Sequence, residues 1–356
     1  MFSRTLTKIL GRSHCGRALS CRFFSSATPQ TSTGEEHDPA PLFFNQEVQG
    51  ALELLTRIDY KKAVRKRLTG ERLQTPKYKF MTEKELQEAL DKAKKRTRKR
   101  LQMPPVVKTR EEITEVLNKD EALEGFSDNK YVFTDISFGI KDRDRYIVIR
   151  DLDGTLRQAK WEERDRINFI YFPREGKEMT PPKLFQEEYL KDLLEREWYE
   201  HILDCACIQF EPDDLEYKKI TEQVYQTVNE KKHFESLRST RHFGPLAFHL
   251  AWNKNIDNLL CDIIQSEKME EAVVLIRLFH KIHPDAKSAT TEYDAKGGDD
   301  AIALILHYAS LDSFKGPLIE KMIAAYQELE NERRKVQEGI EMAHGIVTDE
   351  PELPTR

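Results

Sequence analysis

The chain has 356 residues and a formal net charge of −5, with 57 basic and 62 acidic side chains. Hydrophobic residues make up 39% and charged residues 33% of it, a polar composition for a compact enzyme of this length. No apolar run is long enough for a transmembrane helix, and the overall charge gives no argument for nucleic-acid binding.

Residues 1–24 are predicted to form a mitochondrial presequence. They hold five basic and no acidic residues, and the basic and apolar side chains separate onto opposite sides of a helix. Arg22, Phe24 and Ser25 resemble a matrix-protease site, with arginine three residues before the cut. We therefore expect a mature protein in the mitochondrial matrix that begins near Ser25 and has a net charge of −10. An ordinary disordered basic segment is the alternative.

Positive charge is concentrated in one part of the chain. Residues 57–110 hold 19 basic and 6 acidic residues, a net charge of +13, whereas residues 111–356 have a net charge of −18. This asymmetry predicts a basic arm joined to an acidic body. The predicted segments after the presequence are a disordered linker (25–44), a basic helical arm (45–125), a small β meander region (126–183), a helical domain (184–345) and a flexible tail (346–356).

Two helices are predicted in the arm. Asn45 can cap the first, whose apolar residues recur at helical spacing. Thr82 and Glu85 form a capping-box pattern at the start of the second, and Pro104 follows its end. The continuation of the first helix carries Lys61, Lys62, Arg65, Lys66 and Arg67. The second carries seven cations within nine residues, at Lys92, Lys94, Lys95, Arg96, Arg98, Lys99 and Arg100.

These cations are predicted to contact RNA. The run lacks the balancing acids of a salt-bridged helix face, and phosphate contacts would offset the repulsion and release counterions. Because interleaved aromatic residues are absent, we expect contacts to the backbone rather than to bases. A solvated charged helix is the alternative. Arg238 and Arg241 are predicted as further RNA contacts, although arginines beside Ser and Thr also stabilise helix ends.

The middle of the chain changes to β-branched and aromatic residues. Segments 131–138, 146–150 and 155–157 predict a small antiparallel meander with a turn at Asp153-Gly154. A short charged helix is predicted at 161–170, and the signals beyond residue 184 are helical. The predicted fold is therefore α+β and predominantly helical, with a basic N-terminal helical arm, a small antiparallel β meander and an all-helical C-terminal half.

Asp151 and Asp153 suggest an enzymatic alternative. Together with Gly154 and Thr155 they resemble the nucleophile loop of haloacid-dehalogenase phosphatases, in which both aspartates lie beside magnesium. That fold requires strands that alternate with helices, which the later chain does not offer. We expect no enzyme, cofactor, metal site or small-molecule substrate. We interpret His280 and His283 as residues at the C-terminus of a helix. Free thiols are expected at Cys205, Cys207 and Cys261.

Eight ordered blocks carry a resemblance to a known family. They are PKYKFMT (76–82), MPPV (103–106), YVFTDIS (131–137), GTLR (154–157), WEERDR (161–166), YFP (171–173), QFEPD (209–213) and LRSTR (237–241). In this order, and over roughly residues 42–330, the chain resembles the animal mitochondrial small-subunit ribosomal protein family numbered twenty-two.

The resemblance implies a non-catalytic component of the mitochondrial ribosome that has no bacterial counterpart. Its implied partners are the small-subunit rRNA and other mitochondrial small-subunit ribosomal proteins, and its implied fold is a largely helical α+β one. No catalytic residue is carried over from the family. A helical matrix adaptor that binds no RNA is the other hypothesis.

Overall fold

The computed structural model describes residues 38–64, 78–290 and 298–344. The predicted cleavage residues Arg22, Phe24 and Ser25 lie outside the described residues, as do residues 346–356 of the predicted tail. Within the described ranges, no helix combines the length and the apolar character needed to cross a membrane.

The helices described before the sheet are α1 (Ala40–Phe43), α2 (Gln46–Thr56), α3 (Tyr60–Val64) and α4 (Glu83–Arg100). The Asn45 side chain accepts a hydrogen bond from the Glu47 amide at 2.9 Å and caps α2. At α4 the Glu85 amide donates to Thr82 Oγ1, and the Thr82 amide donates to the Glu85 carboxylate. Both caps are those predicted from the sequence.

The sheet contains β1 (Val116–Lys119), β2 (Tyr131–Thr134), β3 (Ile147–Arg150) and β4 (Thr155–Gln158), in the order β1-β4-β3-β2 with antiparallel neighbours. Strands β2 to β4 confirm the predicted meander. The sequence did not predict β1, because its four residues are exposed and lack an alternating pattern. Gly154 before β4 has a φ of +76°, and a Cβ there would overlap with the Asp120 carbonyl that follows β1.

One face of the sheet packs on α5 (Trp161–Tyr171). Ile147 and Ile149 of β3 form a small core with Ile167 of α5 and with Ala159. Every second residue of β3 thus points to the helix, as the period of a strand requires.

The main hydrophobic core lies among the later helices and includes α2. Val48, Leu52 and Leu55 of α2 are buried, and α2 packs against the helices Phe243–Trp252 and Met269–Ile282, which are α10 and α12. The C-terminal helices are α6 (Glu187–Glu195), α7 (Tyr199–Gln209), α8 (Leu215–Lys231), α9 (Phe234–Leu237), α10 (Phe243–Trp252), α11 (Asp257–Gln265), α12 (Met269–Ile282), α13 (Gly298–Leu311) and α14 (Gly316–Ala343). The predicted α+β, predominantly helical fold is confirmed. The exact domain boundaries stay predictions.

Candidate nucleic-acid interface

Helix α4 presents the predicted basic cluster to solvent. Its 18 residues span about 27 Å. All of these residues are described, and Thr97 is the one that is buried. Its hydroxyl donates a hydrogen bond to the Ala93 carbonyl at 2.9 Å. The exposed cations of α4 are Lys92, Lys94, Lys95, Arg96, Arg98, Lys99 and Arg100. The second half of α4 is therefore a strongly cationic surface.

Few groups of the described structure neutralise this surface. Lys94 Nζ lies 3.9 Å from Asp91 Oδ1, and Arg100 Nη1 donates to the Ala63 carbonyl at 3.3 Å. The other five cations form no ion pair with any described residue. Cations in the last turns are stabilised by the partial negative charge of the helix C-terminus, but they still repel one another. An anionic partner would remove that repulsion.

The first predicted basic segment is described only in part. Lys62 in α3 is exposed, and its Nζ donates to the carbonyl oxygens of Glu235 and Ser236, each at 3.1 Å. These contacts join α3 to the end of α9. The side chain of Lys61 lies outside the described residues, and so do Arg65, Lys66 and Arg67.

A groove of about 380 Å³ lies where the end of α4 meets the body. Four cationic side chains line it together with one acidic residue, Glu211. The cations are Lys99, Arg100, Arg174 and Arg241, and the apolar lining includes Met103, Pro104, Phe210 and Tyr217. Two of these cations come from α4 and two from the body, so the groove exists only where these parts meet.

Arg241 is held at this groove by a buried acid. Its Nη2 lies 2.8 Å from Asp204 Oδ1, and Nε2 of the adjacent His242 lies 3.0 Å from the same oxygen. Burial lowers the pKa of His242, so its imidazole is neutral near pH 7. The Arg241 side chain is 34% exposed. Its guanidinium is thus fixed in place while part of it still faces the groove.

Arg174 is a groove residue that the sequence did not single out. Its Nε lies 2.8 Å from Asp142 Oδ2, and its Nη1 lies 2.5 Å from Glu211 Oε1. The local sequence shows no excess of basic residues around it. Only the folding of the loop after α5 against α7 brings it close to the end of α4.

Arg238 lies in the core, and its predicted role as an RNA contact needs correction. The side chain is 2% exposed, and its Nη1 donates to the Leu55 carbonyl at 2.5 Å. Its guanidinium lies 3.2 Å from Asp262, 3.6 Å from Glu271 and 4.2 Å from the Phe243 ring centroid. A side chain that is enclosed to this extent cannot contact a phosphate group. We therefore assign Arg238 to the support of the helical core.

Asp151 and Asp153 have structural partners of their own. Asp151 accepts from Arg157 Nε at 2.6 Å and lies 2.8 Å from Lys130 Nζ. Burial acts to raise the pKa of Asp151, but the hydrogen bonds from Arg157 and Lys130 outweigh it and lower that pKa. Asp153 accepts from the Thr155 amide and hydroxyl, which stabilises the β-turn. The pair lies at a hairpin of an antiparallel sheet, not after a strand of a doubly wound one.

The histidines of the α12 end also have partners. His280 Nε2 lies 2.8 Å from Ser288 Oγ, and His283 Nε2 lies 2.9 Å from the Ala251 carbonyl oxygen. Among the residues that the structure describes, no three histidine, cysteine or acidic side chains come together as a metal site would require. Cys205, Cys207 and Cys261 form no disulfide with any described residue.

The comparison with known protein families decides the assignment. The family described as mitochondrial 28S ribosomal protein S22 matches residues 41–284. The chain belongs to this S22 family. Two curated relatives of the family are each named small ribosomal subunit protein mS22. The mouse (Mus musculus) protein is 41% identical over 302 residues, which cover 84% of this chain and 82% of the relative. The cattle (Bos taurus) protein is 39% identical over 316 residues, with coverages of 88% and 86%.

The S22 family match confirms the resemblance inferred from the eight sequence blocks. It includes the whole of α4, the sheet and every residue of the groove. Helices α13 and α14 lie beyond the matched range. The candidate interface thus belongs to the part of the chain that the S22 family profile describes.

Proposed function

We propose that this chain is a non-catalytic structural component of the small subunit of the mitochondrial ribosome. The relatives that it resembles are named as small ribosomal subunit proteins, and the family description is mitochondrial. In this proposal α4 and the groove beside it contact small-subunit rRNA, and the acidic helical body contacts neighbouring ribosomal proteins in the matrix.

The exposed cationic half of α4 is the observation that carries the RNA contact. Seven exposed cations within nine residues of helix cost free energy through their mutual repulsion, and the described acids offset little of it. Contacts with phosphates would replace that repulsion by attraction and release counterions from the RNA. Binding to RNA in the assembled particle would therefore offset the electrostatic repulsion among the cations of α4.

The groove favours contact with the RNA backbone. Lys99 and Arg100 approach it from α4, and Arg174 and Arg241 approach it from the body. Each arginine can donate two parallel hydrogen bonds to one phosphate. The three-residue run Met103-Pro104-Pro105 and the Phe210 and Tyr217 rings give the same groove an apolar surface on which a ribose or base can pack.

The helical body has the opposite charge and suits protein partners. Residues 111–356 have a net charge of −18. A phosphate backbone is repelled by such a surface, whereas basic segments of neighbouring proteins are attracted to it. We therefore assign the RNA contact to α4 and its groove rather than to the rest of the acidic body.

The proposal is tested by neutralising part of α4. Lys95, Arg96, Arg98 and Lys99 are replaced by Gln in the full-length chain. The slope of log affinity for a small-subunit rRNA fragment against log salt should become shallower by up to about 0.9 for each lost phosphate contact. Co-sedimentation of the chain with the small subunit should also fall.

A matched control replaces four exposed cations of the body by Gln, at Lys191, Arg196, Lys219 and Arg334. It changes the net charge equally and should keep the wild-type slope. Equal effects of the two variants would mean that only total charge matters and would contradict a specific α4 contact. Ultraviolet crosslinking that recovers no rRNA would favour the adaptor hypothesis instead.

A further inference from the structure

Helix α14 begins inside the body and continues beyond it. Its 28 residues span about 42 Å. Gly316, Ile319 and Ile323 are buried, and this first part packs against α11 and α13. All residues from 327 to 340 are exposed. The second half of the helix is thus far more solvated than a helix of the core.

An apolar stripe runs along the whole helix without a change of register. Its positions alternate at intervals of three and four residues, the pattern that coiled-coil helices use to contact each other. The stripe consists of Ile319, Met322, Tyr326, Leu329, Val336, Ile340 and Ala343, and Arg333 takes the remaining position. The part of the stripe that covers the body therefore has a direct continuation in the exposed half.

The contacts change along this stripe. Ile319 is fully buried, whereas Val336 is 62% and Ile340 is 47% exposed. Between them Arg333 donates to both carboxylate oxygens of Glu267, at 2.6 and 3.0 Å. Among the described residues, this bidentate pair is the last ion pair along α14 that joins it to the body. Beyond it, no described residue covers the stripe.

The charges beside the exposed stripe indicate the kind of partner. Helical geometry places Glu328 and Glu332 along one side of it and Glu330 along the other. A second copy of this helix fits poorly, since Arg333 would face its copy in a parallel pair. In an antiparallel pair of the exposed halves, residues 340–344 would lie opposite the three glutamates, and they contain no Lys or Arg. A partner helix with Lys or Arg beside its apolar residues would instead pair with these glutamates.

We propose that the stripe from Leu329 to Ala343 is the docking site for an amphipathic helix of another protein of the assembled subunit, with Lys or Arg beside its apolar residues. The apolar positions would interdigitate as they do in a coiled coil, and the basic flanks would meet Glu328, Glu330 and Glu332. The proposal rests on the proposed function, because the partner belongs to the assembled subunit, but the site is separate from α4 and does not depend on the RNA contact.

Photocrosslinking in the intact small subunit tests the site. A benzophenone-bearing residue replaces Val336 in the full-length chain, and mass spectrometry identifies the crosslinked segment. We expect one segment of a different protein, with apolar residues at three- and four-residue intervals and basic flanks. When the benzophenone-bearing residue instead replaces Arg334, on the opposite side of α14, we expect no crosslink to that segment. Crosslinks from position 336 to rRNA, to a second copy, to this chain itself, or to nothing would overturn the proposal.

A paired substitution gives an independent check. With the benzophenone residue at Leu329, the changes Val336→Glu and Ile340→Glu should lower the crosslink yield at least about tenfold, as expected for residues at the centre of an interface. The changes Arg334→Gln and Lys335→Gln lower the net charge by the same amount and should preserve the yield. Both variants should unfold at the wild-type temperature because all four side chains are exposed. Equal loss of yield in both would overturn the proposal.

Discussion

Arg238 and Arg241 lie in one short segment but face different surroundings. Arg238 is enclosed by the α2 carboxyl end, by Asp262 and Glu271, and by the Phe243 ring. Arg241 is tied to Asp204 and lines the groove beside α4. The Leu-Arg-Ser-Thr-Arg segment therefore combines one structural arginine with one that can reach a ligand, a division that residue type alone does not reveal.

Arg238→Ala should destabilise the fold by about 3 kcal/mol, because it removes the buried cation that pairs with the Asp262 carboxylate and donates to the Leu55 carbonyl. Urea unfolding of the full-length chain measures this loss. Arg196→Ala, which removes an exposed arginine paired with Asp192 four positions earlier, should change the free energy of unfolding by less than about 0.5 kcal/mol. A similar small loss for both variants would contradict the assignment of Arg238 to the core.

His249 should make stability depend on pH. Burial lowers the pKa of His249 to about 4 in the folded protein, whereas an unfolded chain protonates histidine near pH 6.5. Between these values the unfolded state binds more protons, so the free energy of unfolding falls as the pH falls from about 6.5 towards 4. The expected contribution is a loss of up to about 2 kcal/mol between pH 7 and pH 5.

His249→Gln is the variant that measures this contribution. It retains a polar side chain near Asn253, the hydrogen-bond partner of His249, but cannot titrate. The difference in unfolding free energy between pH 7 and pH 5 should shrink by up to about 2 kcal/mol relative to the wild type. His242, whose pKa burial also lowers, stays in both proteins and keeps a residual dependence of the same sign. An unchanged difference would contradict the lowered pKa of His249 in the folded protein.

At the scale of single elements, α2 and α4 differ in what covers them. The sequence predicted the start of both helices, because Asn45 and Thr82 cap them through local hydrogen bonds. It also grouped them in one arm, because both lie near the run of positive charge. In the structure the apolar side of α2 packs on α10 and α12, whereas α4 buries only Thr97 among its residues. Local patterns predict a helix, but its partner depends on the whole fold.

Two leucines of α2 test its place in the core. Leu52→Ala should cost about 3 kcal/mol, because it opens a cavity between α2 and the helices that it contacts. Leu54→Ala removes the same atoms from a side chain that is 64% exposed, and should cost less than about 0.5 kcal/mol. Chemical denaturation gives both values. Equal losses would mean that α2 does not pack as described.

Strand β1 shows where element prediction fails. The pairing of β1 with β4 needs Gly154, whose missing Cβ makes room for the Asp120 carbonyl. The sequence identified Gly154 as a turn residue, but nothing near residues 116–119 indicated a strand. Strand pairing at the edge of a sheet is decided by the neighbouring strand rather than by the propensity of the edge.

At the scale of the whole molecule, charge segregation was predictable and the groove was not. The excess of cations in residues 57–110 is a property of composition, and it marks α4 directly. The groove joins Lys99 and Arg100 to Arg174 and Arg241, which are separated by whole helices along the chain. Such a site follows from the packing of α4, the loop after α5 and α7, which no local sequence pattern encodes.

The contact of α2 with α12 constrains the order in which the chain can fold. Arg57, just after α2, donates to Glu271 in α12 across a separation of 214 residues. A chain delivered with its N-terminus first exposes the apolar side of α2 long before α12 is present to cover it. Closing so long a loop is slow, because its entropy is lost before the contact is gained. Helix α2 would therefore be a natural binding site for chaperones until synthesis and delivery of the chain are nearly complete.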